Sequence, residues 1–256
     1  MGGDGFFCLH STLFNSHSRI IDARRAEGEE DQHGDLLSIL MKASQNTTGK
    51  RVTEEQLRNQ VMNIFVSGQG TTASTLGWTW YLLATHPEVE AKFHEELDRV
   101  LQGRDPELSD MASLTYLRQI IMESMRKFPA AWTIGYDAVN KVQIGKWEFD
   151  PGDGFFMSQY LMHRNPKYFD LVEDFIPERW TEEFIQQLPQ FAYFPFGGGA
   201  RSCIGNHMGM MEVTLVMATI GQRYRLEMLN KEPLIPMPLI TLRPKNGVQM
   251  RVVSRA

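Results

Sequence analysis

Phe191-Ala192-Tyr193-Phe194-Pro195-Phe196-Gly197-Gly198-Gly199-Ala200-Arg201-Ser202-Cys203-Ile204-Gly205 presents one thiol from a glycine-rich loop. An aromatic, proline-containing run enters it. Gly197, Gly198 and Gly199 allow positive φ or a close approach of backbone to something flat and bulky. A helix-like segment follows Gly205, so Cys203 stands just ahead of a helix N-terminus. There the unpaired N–H groups and the positive end of the macrodipole favour a negatively charged sulfur. Arg201, two residues upstream, sets a cation suited to carboxylates beside that soft anionic ligand.

Taken alone, a single cysteine is most often a small apolar filler. A phosphate cradle is a second reading, but Gly197-x-Gly199-x-x-Ser202 lacks a third glycine and no Gly-Lys-Ser/Thr follows. Zinc needs partners at ligand spacing, and Cys8, the other cysteine, is remote and has no such pattern around it. A cysteine ligand that must stand alone fits heme iron better.

Phe196-x-x-Gly199-x-Arg201-x-Cys203-x-Gly205 resembles the heme-binding signature of the cytochrome P-450 (heme-thiolate monooxygenase) family, with five of ten positions specified. The resemblance implies heme b as cofactor, Cys203 as axial iron ligand and Arg201 as partner of a heme propionate. It also implies Phe196 packed against the surroundings of the sulfur, and Gly199 and Gly205 shaping the loop beneath the porphyrin.

Upstream, Thr53-Glu54-Glu55-Gln56 has the form of a capping box opening a long helix that Pro87 stops near His86. Gly68, Gly70 and Gly77 lie inside that helix, and each weakens it by ~1 kcal/mol relative to alanine. Close helix packing is one account for Gly77. For Ser67-Gly68-Gln69-Gly70-Thr71-Thr72 the better account is a kink or groove, with the Thr71 hydroxyl turned toward a ligand. This segment is similar to the family's oxygen-binding helix, small-Gly-x-acid-Thr-Thr. By that resemblance Thr71 is the catalytic threonine that steadies oxygen and its water. Gly70 stands where the family has an acid that helps relay protons.

Pro87 to Leu101 reads as an amphipathic helix with Glu95, Glu96 and Arg99 on its wet face. Leu114 to Lys127 is helical again, with Leu117, Ile120 and Ile121 as its apolar stripe. Glu123 and Arg126, three apart, are neighbours on one helix face; as an isolated surface pair they would contribute ~0–1 kcal/mol. Glu123-x-x-Arg126 and Phe175-x-Pro177-Glu178-Arg179-Trp180 resemble, respectively, the family's paired helix motif and its meander. That resemblance implies a buried structural triad of Glu123, Arg126 and Arg179 beneath the heme loop.

Ala138 to Phe156 has strand-and-turn character, broken at Ile144-Gly145-Lys146 and Pro151-Gly152-Asp153-Gly154. The family often has an arginine for a second propionate near Tyr136; here tyrosine offers one hydrogen bond and no charge. His163-Arg164-Asn165-Pro166 resembles the family's His-Arg-Asp-Pro turn, and a lone histidine there is read as structural. The helix from Asn206 to about Arg225 carries Met208, Met211, Leu215, Val216 and Ile220 as a core stripe. Leu239 to Arg243 and Val248 to Val253 around Asn246-Gly247 form a hairpin signal.

The 256 residues are 42% apolar and 22% charged, ordinary globular composition. A formal charge of −5 argues against a nucleic-acid surface. Two distant cysteines suggest a reducing compartment, no apolar run reaches the ~20 residues of a membrane span, and Met1 to His10 lacks the marks of a secretory leader. A cytoplasmic location is favoured, with an anchor in preceding sequence left open. The resemblance covers about Asp22 to the end. It implies a mainly α fold with small β-sheets: the C-terminal part of the cytochrome P-450 fold, N-terminally incomplete, as one heme-binding domain over 1–256. Apolar pocket walls are expected from Phe65 to Thr75, Ala130 to Ile134 and Pro238 to Thr241. The implied activity is insertion of one oxygen atom from O2 into a lipophilic organic substrate, with electrons from a ferredoxin or flavoprotein reductase. The alternative is a heme-binding remnant without that turnover, or a peroxide-driven enzyme.

Overall fold

The computed structural model describes residues 19–26, 34–45, 52–230 and 232–255. Cys8 and the reading of Met1 to His10 lie outside the described residues. Two compact units are present, Met1–Gln69 and Gly70–Ala256, and their boundary falls inside one helix.

The first unit holds α1 (19–26), α2 (Leu36–Gln45) and the opening of α3 (Glu54–Thr85). The capping box forms as the sequence suggests. Thr53 Oγ1 accepts from the Gln56 N–H at 3.2 Å, and Gln56 Oε1 accepts from the Thr53 N–H at 2.9 Å. Asp35 caps α2 by accepting from the Ser38 N–H at 2.9 Å, while the Arg24 guanidinium grips it from α1 at 2.8 and 3.0 Å. That hydrogen bond holds the Asp35 carboxyl well below the usual carboxylate range. Ile21, Met41 and Leu57 bury one face of each helix in a small core.

The second unit is built around α4 (Pro87–Leu101), α5 (Thr115–Lys127) and α8 (Asn206–Arg223), with the end of α3 against them. Two short helices, α6 (Gln159–Met162) and α7 (Glu182–Gln187), lie in the long segment between α5 and α8. Leu117, Ile120 and Ile121 are fully buried, as their spacing predicts. Glu96 departs from expectation. It is 4% exposed, and its carboxylate accepts from the Tyr116 and Leu117 N–H groups, both at 2.8 Å, and from the Thr115 hydroxyl at 3.2 Å. The α5 N-cap position, Leu114, has no capping side chain, so an acid from α4 satisfies the orphan donors of α5 instead.

On α8 the fully buried face is Val213, Thr214, Met217, Ala218 and Gly221, not the expected methionine and leucine stripe; Met208 is 59% exposed. The registration is set by Gly221, where a Cβ would fall 2.4 Å from Phe93 Cζ and 3.0 Å from Leu97 Cδ1. Gly77 meets no such demand, because a Cβ there would touch only Val248 Cγ2 at an ordinary 3.5 Å.

Among the described residues, four two-stranded antiparallel sheets complete this unit. β1 (Ile134–Asp137) pairs with β4 (Gly154–Met157), enclosing the hairpin of β2 (Val142–Ile144) and β3 (Trp147–Phe149). The expected hairpin about Asn246-Gly247 does not form. β5 (Tyr224–Met228) takes β8 (Met250–Ser254), while β6 (Pro236–Pro238) takes β7 (Leu242–Pro244). Gly247 does turn the chain, at φ 70°. Pro244 cannot donate to a ladder with β8, and β5, which directly follows α8, offers that strand a better edge.

Candidate active site

The cysteine loop is held from both ends. Cys203 donates its N–H to the Phe196 carbonyl at 2.9 Å, closing the loop on itself, and Gly199–Arg201 forms a 3-10 turn. Gly197 and Gly199 adopt φ of 72° and 68°, conformations that penalise any side chain. Gly198 is needed for a different reason: a Cβ would lie 2.2 Å from Phe191 Cε1. Phe191 is itself left-handed, at φ 64°, which is uncommon for a bulky residue.

Behind the loop, the His163 ring is fully buried and its Nε2 accepts from the Phe194 N–H at 2.9 Å. Burial pushes the His163 pKa down to about 3, so the ring stays neutral and remains an acceptor. Reading this histidine as a turn residue captured its structural character but missed that it pins the entry of the loop. The Tyr193 hydroxyl donates to the Met122 carbonyl at 3.0 Å, tying the same entry to α5. A cleft of about 290 Å³ lined by Met122, Trp180, Leu188, Phe191, Phe194 and Gly197 lies against this support.

Glu123, Arg126 and Arg179 meet in the core beneath the meander. Arg126 grips Glu123 through Nε and Nη2, both at 2.9 Å, and Arg179 Nε reaches Glu123 Oε1 at 3.0 Å. Glu123 also accepts from Trp180 Nε1 at 2.9 Å and from the Ile176 N–H at 3.1 Å. Arg126 spends its remaining donors on the His163, Val172 and Asp174 carbonyls at 2.9–3.0 Å. Each buried charge therefore has partners, the condition under which burial is tolerable. One carbonyl in that set belongs to His163, which links the charge cluster to the loop.

The opposite side of the loop is open. Cys203 is an exposed free thiol, and Ile204 beside it is 98% exposed. Arg201 is exposed as well. Ile134 stands over the loop, its Cδ1 3.2 Å from where a Gly197 Cβ would be, and Tyr136 shares its strand face two residues on. Two of the expected wall segments come together: Leu242 donates to the Ala130 carbonyl at 2.9 Å, and Trp132 Nε1 to the Leu239 carbonyl at 2.7 Å. Ile240 at their tip is 97% exposed. The third segment runs across the boundary of the two units. Its part beyond Gly70 joins them, since Ser74 Oγ and Trp78 Nε1 both donate to the Leu242 carbonyl, at 2.6 and 2.9 Å.

Thr71 is half-buried on α3, and its carbonyl accepts from the Thr75 hydroxyl at 3.0 Å. The helix is continuous through Ser67 to Thr72, so the glycines there do not break it. Beside Gly68 and Gly70 a Cβ would meet nothing within 4 Å.

A thiol with no second protein ligand, a cation two residues away and apolar side chains left outward suit a flat, largely apolar group carrying carboxylates and a metal that accepts one protein sulfur. Among the described residues no group of three or more His, Cys, Asp or Glu could hold a metal by itself. The residues fit heme.

Comparison with known proteins agrees. A family model described as Cytochrome P450 matches residues 5–251. Cyclooctatin synthase of Streptomyces melanosporofaciens is 36% identical over 224 residues, 88% of this chain and 49% of that protein. Pentalenene oxygenase of Streptomyces avermitilis is 31% identical over 247 residues, 96% of this chain and 54% of that protein. A cytochrome P450 crystal structure superimposes with a TM-score of 0.87 at 28% identity, over 96% of this chain and 56% of the other. The chain thus spans about half the length of the curated relatives it matches. A mainly helical fold with small antiparallel sheets, a cysteine loop of this form and a match over residues 5–251 place the chain in the cytochrome P450 family.

Proposed function

We propose that the chain acts as a heme-thiolate monooxygenase, inserting one oxygen atom from O2 into a lipophilic organic substrate with electrons from a ferredoxin or flavoprotein reductase. On this reading residues 1–256 serve as one heme-binding domain and the cofactor is heme b. The observation that carries it is the exposed Cys203 thiol on a loop fixed by two positive-φ glycines and by the Cys203 N–H to Phe196 carbonyl bond. The relative named for oxygenation of pentalenene supports an apolar substrate.

Cys203 would ligate the iron, Arg201 would pair with a propionate, and Phe196 would pack near the sulfur. Gly199 and Gly205 would keep the backbone low beneath the ring, and Tyr136 would offer a propionate one uncharged hydrogen bond. When bound, the heme supplies a redox-active iron whose thiolate ligation favours O–O cleavage. Thr71 would be the catalytic threonine that steadies oxygen and its water. The outward-facing apolar side chains at Ile134, Leu239 and Ile240 would contact an apolar substrate. Gly70, which brings no acid to the helix, and the uncharged Tyr136 favour a second reading, a peroxide-driven enzyme or a heme-binding remnant.

With hemin and carbon monoxide under reducing conditions, the chain should show the red-shifted Soret band of thiolate-ligated heme, and Cys203→Ser should lose it. An imidazole-type band in the wild type would reject both readings. Product formed with reductase and O2, against product formed with peroxide, separates the first from the second.

A further inference from the structure

We infer that His163 is a positioning residue for the iron ligand: its ring, acting through the Phe194 N–H, holds the backbone of Cys203 in the setting from which the sulfur ligates as a thiolate. The inference rests on the reading of Cys203 as that ligand. Three hydrogen bonds make the connection: His163 Nε2 accepts from the Phe194 N–H, the Phe194 carbonyl from the Gly197 N–H and the Phe196 carbonyl from the Cys203 N–H, each at 2.9 Å. Phe194 to Gly197 is a single turn, so fixing its first amide fixes the carbonyl that receives the cysteine amide. The ring is itself held. It is fully buried, its centroid lies 4.9 Å from that of Tyr193 and 5.4 Å from that of Phe194, and its backbone carbonyl is gripped by Arg126 Nη1 at 3.0 Å.

The loop needs such a hold. Phe191 and Gly197, on either side of Phe194, both have positive φ, and Phe191 keeps that conformation although its side chain is bulky. Backbone of this kind persists only where its surroundings over-determine it. The acceptor must also be constant. With Nε2 accepting, the neutral ring carries its proton on Nδ1, whereas a charged ring would turn a donor toward the Phe194 N–H. Burial above all, helped by the cations of Arg126 and Arg164, opposes that charge. The Tyr193 hydroxyl, bonded to the Met122 carbonyl, ties the same entry without touching the Phe194 amide, so the two supports can be removed one at a time.

The test uses the full chain with His163→Leu, which removes the acceptor, His163→Gln, which keeps one, and Tyr193→Phe, which removes only the neighbouring tie. Without heme, deuterium exchange of the amides at 194–203 should speed up about fivefold to tenfold in His163→Leu, with α8 amides at wild-type rates, and return to wild type in His163→Gln. With hemin and carbon monoxide under reducing conditions, His163→Leu should lose most of the red-shifted band to the unshifted position, while His163→Gln and Tyr193→Phe keep it. Wild-type exchange in His163→Leu overturns the inference, and so does a red-shifted band that survives in it. Equal loss of the band in Tyr193→Phe also overturns it, since any weakening of the loop entry would then suffice. Where the leucine variant does not fold, His163→Gln decides: wild-type exchange and band support the inference, and loss of either overturns it. A wild type without the red-shifted band overturns the reading of Cys203 as ligand, and this inference with it, and is recognised before any variant is loaded.

Discussion

At the scale of the residue, Glu123 carries more than its sequence environment suggests. An i, i+3 pair of Glu and Arg on a helix reads as a solvated surface pair, and only the resemblance of Glu123-x-x-Arg126 and the later Arg179 segment to the family's paired helix motif and meander points to burial. In the structure Glu123 and Arg126 are both 0% exposed, and the glutamate takes two arginines, an indole and a backbone N–H. Removing one member leaves the others buried and uncompensated. Glu123→Ala should therefore cost about 3–5 kcal/mol in urea unfolding, if the chain still folds. The double change Glu123→Leu with Arg126→Met should cost clearly less than the sum of the two single changes. An additive double variant would show that the charges do not act as one unit.

At the scale of the element, glycines that look alike in the sequence have opposite roles. Gly70 sits inside α3 with open space where a Cβ would go, whereas Gly221 sits inside α8 against the Phe93 ring. Gly70→Ala should raise stability by up to about 1 kcal/mol through helix propensity. Gly221→Ala should lower it by about 1–3 kcal/mol through overpacking of α4 on α8, and the two midpoints in one denaturant series decide the matter. Helix boundaries were legible because their signals are local. The Thr53 box, Pro87 and the periodicity of Leu117, Ile120 and Ile121 all act within one or two turns. Partner choice was not legible. Glu96 reads as a wet-face acid until α5 is seen to lack its own cap, and Asn246-Gly247 marks a turn without saying that β8 will join β5 instead of β7. The cysteine loop was legible as a pattern, since its residue types are fixed by φ and by the sulfur. Its support by the His163 ring is a long-range contact that no spacing encodes.

At the scale of the whole molecule, acid sensitivity should follow the buried imidazoles before the carboxylates. His163 is held neutral in the fold, its pKa down at about 3 because it is buried, and His94 is lowered to about 4, again chiefly by burial. Unfolded histidine takes a proton near pH 6.5. The unfolded chain therefore binds more protons than the folded one between about pH 6.5 and 3. The contribution is complete above pH 6.5 and is lost as pH falls through that window. Unfolding free energy should drop by about 1–2 kcal/mol from pH 7 to pH 5 on account of His163. His163→Gln, which keeps an acceptor for the Phe194 N–H, should flatten that slope in paired thermal melts. Among the described residues no helix is long and apolar enough to cross a membrane.

The carboxylate of Glu96 closes the first turn of α5 from a neighbouring helix. Fraying is thereby made a joint event: a fluctuation that unwinds α4 around Glu96 also uncaps α5, whose far end holds Glu123 and Arg126. The lifetime of the charge cluster behind the cysteine loop is then set in part by an acid outside that cluster.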